Sequence, residues 1–228
     1  HVEAGLRSRN IYHPWPEEVN RRIIADIADL HFAPTQLARE GLIAENVPPG
    51  RIHVTGNTLI DALRDTERLI ERMPACVSGL DEIADRLRGQ RIIVVTAHRR
   101  ENFVKGLANI AMAIDHLSAR RDVAFVIPVH PNPSIRPHME AVLSGKENVV
   151  LVTALDYAHF VRLLQLADLV LTDSGGVQEE APALGKPVLV LRETTERPEG
   201  VMAGTARLVG THHISIVREI VRLLDDPV

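Results

Sequence analysis

A single cysteine, Cys76, leaves no partner for an intrachain disulfide and suits a reducing compartment, so the expected location is the cytoplasm. Apolar runs long enough to cross a bilayer are also missing. Spanning takes about 20 apolar residues in succession, and stretches such as 92–95 and 189–191 fall far short, so no membrane partner is expected. Basic charge is not in excess, since 26 Lys and Arg stand against 30 Asp and Glu for a net charge of -4. Without the basic stripe that displaces counterions, no nucleic-acid partner is expected. The chain carries no H-E-x-x-H and no cysteine cluster at ligand spacing, so no metal is expected. The G-x-G-x-x-G of a dinucleotide fold is absent too, which argues against NAD, and no cofactor is expected. Nor is this the composition of a disordered chain, with 45% apolar and 25% charged residues.

What is present reads as α/β. Length alone, 228 residues, fits one domain or two. Residue 1 is a histidine with no basic-then-apolar leader after it, and residues 225–228 close no element, so further chain is expected at both ends. Residues 17–30 set Ile23, Ile27 and Leu30 at helical spacing, which predicts an apolar stripe facing a core. A short strand at 31–34, a helix capped by Thr35 through Glu45, a Pro48-Pro49-Gly50 turn and a strand at 51–55 make two βα units. A charged helix over 59–72 and a loop after Pro74 follow, and the domain boundary is expected near residue 58. Beyond it, apolar runs at 92–96, 123–129, 149–152, 169–172, 188–191 and 206–209 read as six parallel strands. Helices are expected at 107–117, 160–167, 177–184 and 216–224.

Chemistry is expected where strands end. Thr172-Asp173-Ser174-Gly175-Gly176 leaves a buried strand and opens a helix, which offers backbone N–H groups and a dipole end to a phosphate. A tight turn with glycines for packing explains the same residues. Glu179 and Glu180 tilt the reading toward a nucleotide, because a carboxylate one turn in accepts hydrogen bonds from both ribose hydroxyls. Thr96-Ala97-His98-Arg99-Arg100-Glu101-Asn102 also follows a strand, and crowded cations there point to an anion. Glu3, Glu17 and Glu18 are carboxylates available for acid–base work, although acids in a first helical turn also simply complement the dipole. His130, in Val129-His130-Pro131-Asn132-Pro133, is as consistent with a buried histidine as with a ligand contact.

Six segments in this order resemble the non-hydrolysing UDP-N-acetylglucosamine 2-epimerases. They are His1-Val2-Glu3-Ala4-Gly5-Leu6-Arg7, Pro14-Trp15-Pro16-Glu17-Glu18, Gly56-Asn57-Thr58, His98-Arg99-Arg100-Glu101-Asn102, Asp173-Ser174-Gly175-Gly176-Val177-Gln178-Glu179-Glu180 and Thr194-Thr195-Glu196-Arg197-Pro198-Glu199. The resemblance implies two Rossmann-like domains facing a cleft, as in glycosyltransferase-B folds, with the first only partly present. It implies residues 1–58 as the end of the first domain, 59–205 as the UDP-binding domain, and 206–228 as a last strand and the start of a C-terminal helix. A catalytic aspartate in a Gly-Asp-Thr loop would precede His1. By the same resemblance Arg99, Ser174, Gly175 and Gly176 meet a diphosphate, Glu180 holds the ribose, Leu155 and Phe160 bracket the uracil, and Arg197 lies nearby. Glu3 and Glu17 would be the acid–base pair, with His98 as a catalytic residue assisting the phosphates. The implied partners are UDP-GlcNAc, UDP-ManNAc and a second copy in a homodimer. Alternatives are a hydrolysing relative that releases ManNAc and UDP, and a catalytically incomplete UDP-binding fragment.

Overall fold

The computed structural model describes residues 1–99, 105–129 and 136–225. Arg100, Glu101 and Asn102, His130 with the prolines after it, and residues 226–228 lie outside the described residues. The chain divides into two compact units: His1–Ala62 with Thr194–Glu199, and Leu63–Glu193 with Gly200–Val228. The junction after Ala62 falls inside a helix, and the short segment Thr194–Glu199 returns to the first unit.

In the first unit, α1 (Glu17–Ile27), β1 (His31–Ala33), α2 (Gln36–Ala44) and β2 (Ile52–Val54) follow in order. The strands β1 and β2 pair in parallel, His31 with Ile52, and Val2 bridges to Phe32. Thr35 caps α2 by accepting from the Ala38 amide at 3.0 Å. The expected stripe on α1 does not face a core. Ile23, Ile27 and Leu30 are 52%, 75% and 48% exposed, and the buried residues of α1 are Ala25 and Glu18. The helix stops at Ile27, so Leu30 is outside it, and the buried Glu18 carboxylate accepts the Ser8 and Arg9 amides at 3.0 and 3.2 Å. Gly5 has φ +87, and a Cβ there would sit 2.1 Å from the Ala38 carbonyl oxygen. Only glycine tolerates both that conformation and that approach.

Helix α3 (Thr58–Arg72) leads into the second unit, where Leu63 and Ile70 pack with Val77 and Val161. The stretch expected as loop after Pro74 is instead a 3-10 turn, Pro74–Leu80, and α4 (Asp81–Arg86). Its Val77 and Leu80 are buried, and Asp81 and Glu82 place acid in the first turn of α4. The remaining order is β3 (Arg91–Thr96), α5 (Lys105–Leu117), β4 (Val123–Pro128), α6 (Arg136–Leu143), β5 (Val149–Val152), α7 (Tyr157–Leu166), β6 (Leu169–Thr172), α8 (Val177–Ala183), β7 (Val188–Val190), α9 (Pro198–Met202), β8 (Ala206–Leu208) and α10 (His213–Asp225). The six apolar runs form one parallel sheet in the order β5-β4-β3-β6-β7-β8.

Alternation along the strands sorts the two faces of this sheet. Ile93 and Val95 join Phe125, Ile110, Ile114, Met139, Ile216 and Ile220 on one side, under α5, α6 and α10. On the other side Ile92 and Val94 join Val126, Val170, Leu163, Leu164 and Val177, under α7 and α8. Strands covered on both faces read as continuous apolar runs, which is why the sequence marks them so clearly. Full burial of each such side chain contributes about 1.5–3 kcal/mol. The strand order reverses direction between β3 and β6, and this is the point where open parallel sheets leave a crevice at their carboxyl ends.

Candidate functional site

The crevice opens where β3 and β6 end level with one another. Thr96 and Thr172 are register partners, and their buried hydroxyls lie 2.5 Å apart. The Thr172 hydroxyl also accepts from the Ser174 amide at 3.0 Å, which turns the chain into the Ser174-Gly175-Gly176 bend before α8. Asp173, fully buried, ties the two strand ends together. Its carboxylate accepts the His98 amide at 3.1 and 3.0 Å and the Arg99 amide at 2.9 Å, while its own amide donates to the Thr96 carbonyl at 3.1 Å. The Arg99 Nε donates to the Asp173 carbonyl at 3.2 Å, and the His98 Nδ1 lies 3.3 Å from the carboxylate. His98 and Arg99 are thus both positioned by the acid that begins the glycine turn.

A cavity of about 330 Å³ lies over this junction, lined by His98, Leu155, Tyr157, Phe160, Ser174 and Glu180 among others. Leu155 and Phe160 supply apolar wall and pack against the core on the α7 side of the sheet. Glu180 is only 4% exposed, and the Tyr157 hydroxyl donates to its Oε1 at 2.8 Å. Burial, and after it the Glu180 carboxylate, push the Tyr157 pKa well above its ordinary value. Tyr157 therefore stays a neutral donor across physiological pH. Asp156 caps α7 through the His159 amide at 2.9 Å, which fixes where Tyr157 begins the helix.

The first unit holds a separate polar cluster. Glu3, at φ 56, receives the Asn57 Nδ2 on Oε1 at 2.8 Å, and the Arg197 Nη2 lies 3.6 Å from the same oxygen. Arg197 also donates to Glu196 at 2.7 Å, and Arg21 reaches Glu196 at 3.5 Å. Burial lowers the Arg21 pKa against the opposing pull of Glu196. Glu17 is the first residue of α1, while its neighbour Glu18 is committed to the Ser8 and Arg9 amides.

Of the residues expected to bind a nucleotide, His98, Leu155, Phe160, Ser174 and Glu180 line one cavity, and Arg99, Gly175 and Gly176 adjoin it in sequence. Arg197 stands with Glu3 in the first unit. Neither Asp173 nor Tyr157 carries a role of its own in the sequence motifs. A lone acid between a buried strand and Ser-Gly-Gly is the signal for the first, and an aromatic directly after a capping aspartate is the signal for the second. Among the described residues, no group of three or more His, Cys, Asp or Glu side chains is arranged to hold a metal. No helix among them is long and apolar enough to cross a membrane.

Known proteins resemble the chain over nearly its whole length. The sequence model of a family described as UDP-N-acetylglucosamine 2-epimerase matches residues 1–227. A UDP-N-acetylglucosamine 2-epimerase of Salmonella typhimurium is 49% identical over 99% of the chain. A UDP-GlcNAc 2-epimerase from Neisseria meningitidis, solved bound to UDP-GlcNAc, superposes with a TM-score of 0.95 at 42% identity, covering 100% of the chain and 62% of its own. The enzyme of Methanocaldococcus jannaschii, solved with UDP-GlcNAc and UDP, gives 0.85 at 31% identity, covering 99% of the chain and 62% of its own. The chain spans about 61% of the length of the curated relatives it matches. With that family matched over residues 1–227 and close relatives sharing almost half its residues, the chain belongs to the UDP-N-acetylglucosamine 2-epimerase family.

Proposed function

We propose that the whole protein interconverts UDP-GlcNAc and UDP-ManNAc by reversible elimination and re-addition of UDP, with the cavity of the second unit holding UDP. The observation that carries this reading is the convergence of His98, Ser174, Phe160 and Glu180 on one cavity where β3 and β6 end. Relatives solved with UDP-GlcNAc support it. In the proposal Arg99, Ser174, Gly175 and Gly176 receive the diphosphate, Glu180 the ribose, and Leu155 and Phe160 the uracil. The protein acts as a cytoplasmic homodimer, a location that suits its single cysteine.

The chemistry follows from the substrate. No carbonyl acidifies the C2 proton, so a free carbanion is excluded by its basicity. If a carboxylate takes the C2 proton while the C1–O pair leaves with UDP, the sugar becomes a neutral glycal and the new charge rests on the diphosphate. Stabilising that charge is the task of Arg99, His98, the Ser174 hydroxyl and the Gly175-Gly176 turn, a preorganised role worth several kcal/mol. UDP then adds back to C1 as a second acid protonates C2 from the other face. Glu3 and Glu17 are the proposed acid–base groups, each contributing typically 10²–10⁴-fold. In deuterated water the full-length enzyme is expected to place deuterium at C2 during turnover, read by proton NMR, and Glu3→Gln and Glu17→Gln should slow that exchange while binding UDP almost normally. Turnover without C2 exchange would sink the elimination route, and accumulation of free ManNAc would mark a hydrolase.

A further inference from the structure

We propose that Tyr157 is a positioning residue that gives the cavity its preference for a ribose over a 2′-deoxyribose, acting through Glu180. This rests on reading the cavity as a nucleotide site. A carboxylate selects a vicinal diol only if its plane is fixed, because two hydroxyls must meet it at once. Glu180 sits one turn into α8, nearly excluded from water, and the Tyr157 hydroxyl grips its Oε1 at 2.8 Å from the first residue of α7. The two residues are 23 positions apart and meet only because both helices begin at the same edge of the sheet. Tyr157 lines the cavity beside Glu180, so the grip is made at the wall where a ligand would lie. A phenol is a neutral donor at physiological pH, and burial with the acidic neighbour shifts its ionisation further away from that range. An aromatic ring without the hydroxyl would fill the same space and withdraw this one donor from the Oε1 oxygen.

The test is calorimetry on the 228-residue chain with UDP and 2′-deoxy-UDP. The wild type should prefer UDP by about tenfold or more, the scale of one hydrogen bond to a charged group. Tyr157→Phe should lower UDP affinity while changing 2′-deoxy-UDP affinity by less than about twofold, so that the preference collapses. Glu180→Gln should also lose the preference, and adding Tyr157→Phe to it should change the ratio no further. A purely structural role would weaken both ligands by one common factor, and that outcome, or an unchanged ratio in Tyr157→Phe, overturns the inference. Wild-type binding of UDP without discrimination also overturns it yet leaves the nucleotide site standing. Binding of neither ligand removes the nucleotide reading itself.

Discussion

Replacing Asp173 by alanine should do more damage than removing either side chain that it positions, His98 or Arg99. The carboxylate is wholly buried and accepts two backbone amides, with N···O distances between 2.9 and 3.1 Å. Hydrogen bonds to a charged acceptor contribute about 1.5–3 kcal/mol each, so two give about 3–6 kcal/mol. Relief of the buried charge and entry of water offset part of this, and we expect a net loss of about 3 kcal/mol. Asp173→Asn keeps one acceptor oxygen and should lose about half as much. Urea denaturation reads the stability, and amide hydrogen exchange at His98 and Arg99 reads the local opening, which should accelerate in step. Because both residues lose their anchor together, UDP affinity should fall further in Asp173→Ala than in His98→Ala or Arg99→Ala. A variant within 1 kcal/mol of wild-type stability, with unchanged exchange at the two amides, would refute this account of the strand junction.

Three further outcomes can be checked. Arg99→Ala should weaken UDP binding by about 1.5–3 kcal/mol and Ser174→Ala by about 1 kcal/mol or less, since the first removes a charge and the second one hydroxyl; equal affinities at fixed salt would take Arg99 out of the diphosphate site. Gly5→Ala should cost at least 3 kcal/mol in the first unit, because positive φ and a contact with the Ala38 carbonyl both oppose a methyl group, and near-normal thermal unfolding would contradict it. At Glu219 burial favours the neutral acid, but hydrogen bonds from Arg222 and Arg207 outweigh it and lower the pKa. A lowered carboxyl pKa contributes stability above its ordinary value near 4.5 that is lost as pH falls through the folded value. Glu219→Gln should therefore flatten the decline in stability below pH 4.5, measured as unfolding midpoints against pH, and an unaltered decline would exclude the ion cluster as its source.

The sheet was legible because each central strand is buried on both faces, so its whole length is apolar and the period is irrelevant. Residues 92–96 and 169–172 could be placed within a residue for that reason. Helix α1 misled for the opposite reason. Ile23 and Ile27 stand at helical spacing, yet the buried residues of α1 are Ala25 and Glu18, whose carboxylate accepts two loop amides, and periodicity does not mark an acid as buried. Helix α4 was missed because its six residues, Asp81–Arg86, are mostly charged and carry too short a pattern. At the candidate site the motifs located the strand ends and the glycine turn. They did not reveal that Asp173 organises the opposite loop, since that relation joins residues about 75 positions apart. Tyr157 and Glu180 are hidden in the same way.

The junction carrying the candidate site is also the most distant strand pairing in the large sheet. Thr96 and Thr172 are 76 positions apart, whereas β3 meets β4 by pairing Arg91 with Val123 and β6 meets β7 by pairing Val170 with Val188. Closing the longer loop adds roughly 1 kcal/mol or less to the equilibrium cost, because loop entropy grows only with the logarithm of length. The larger consequence is kinetic. Parallel sheets with non-local pairings fold slowly, and every contact of Asp173 with His98 and Arg99 waits on this one closure. During refolding, helix content should therefore recover before the capacity to bind nucleotide. A saturating ligand would stabilise the junction that chain topology forms last.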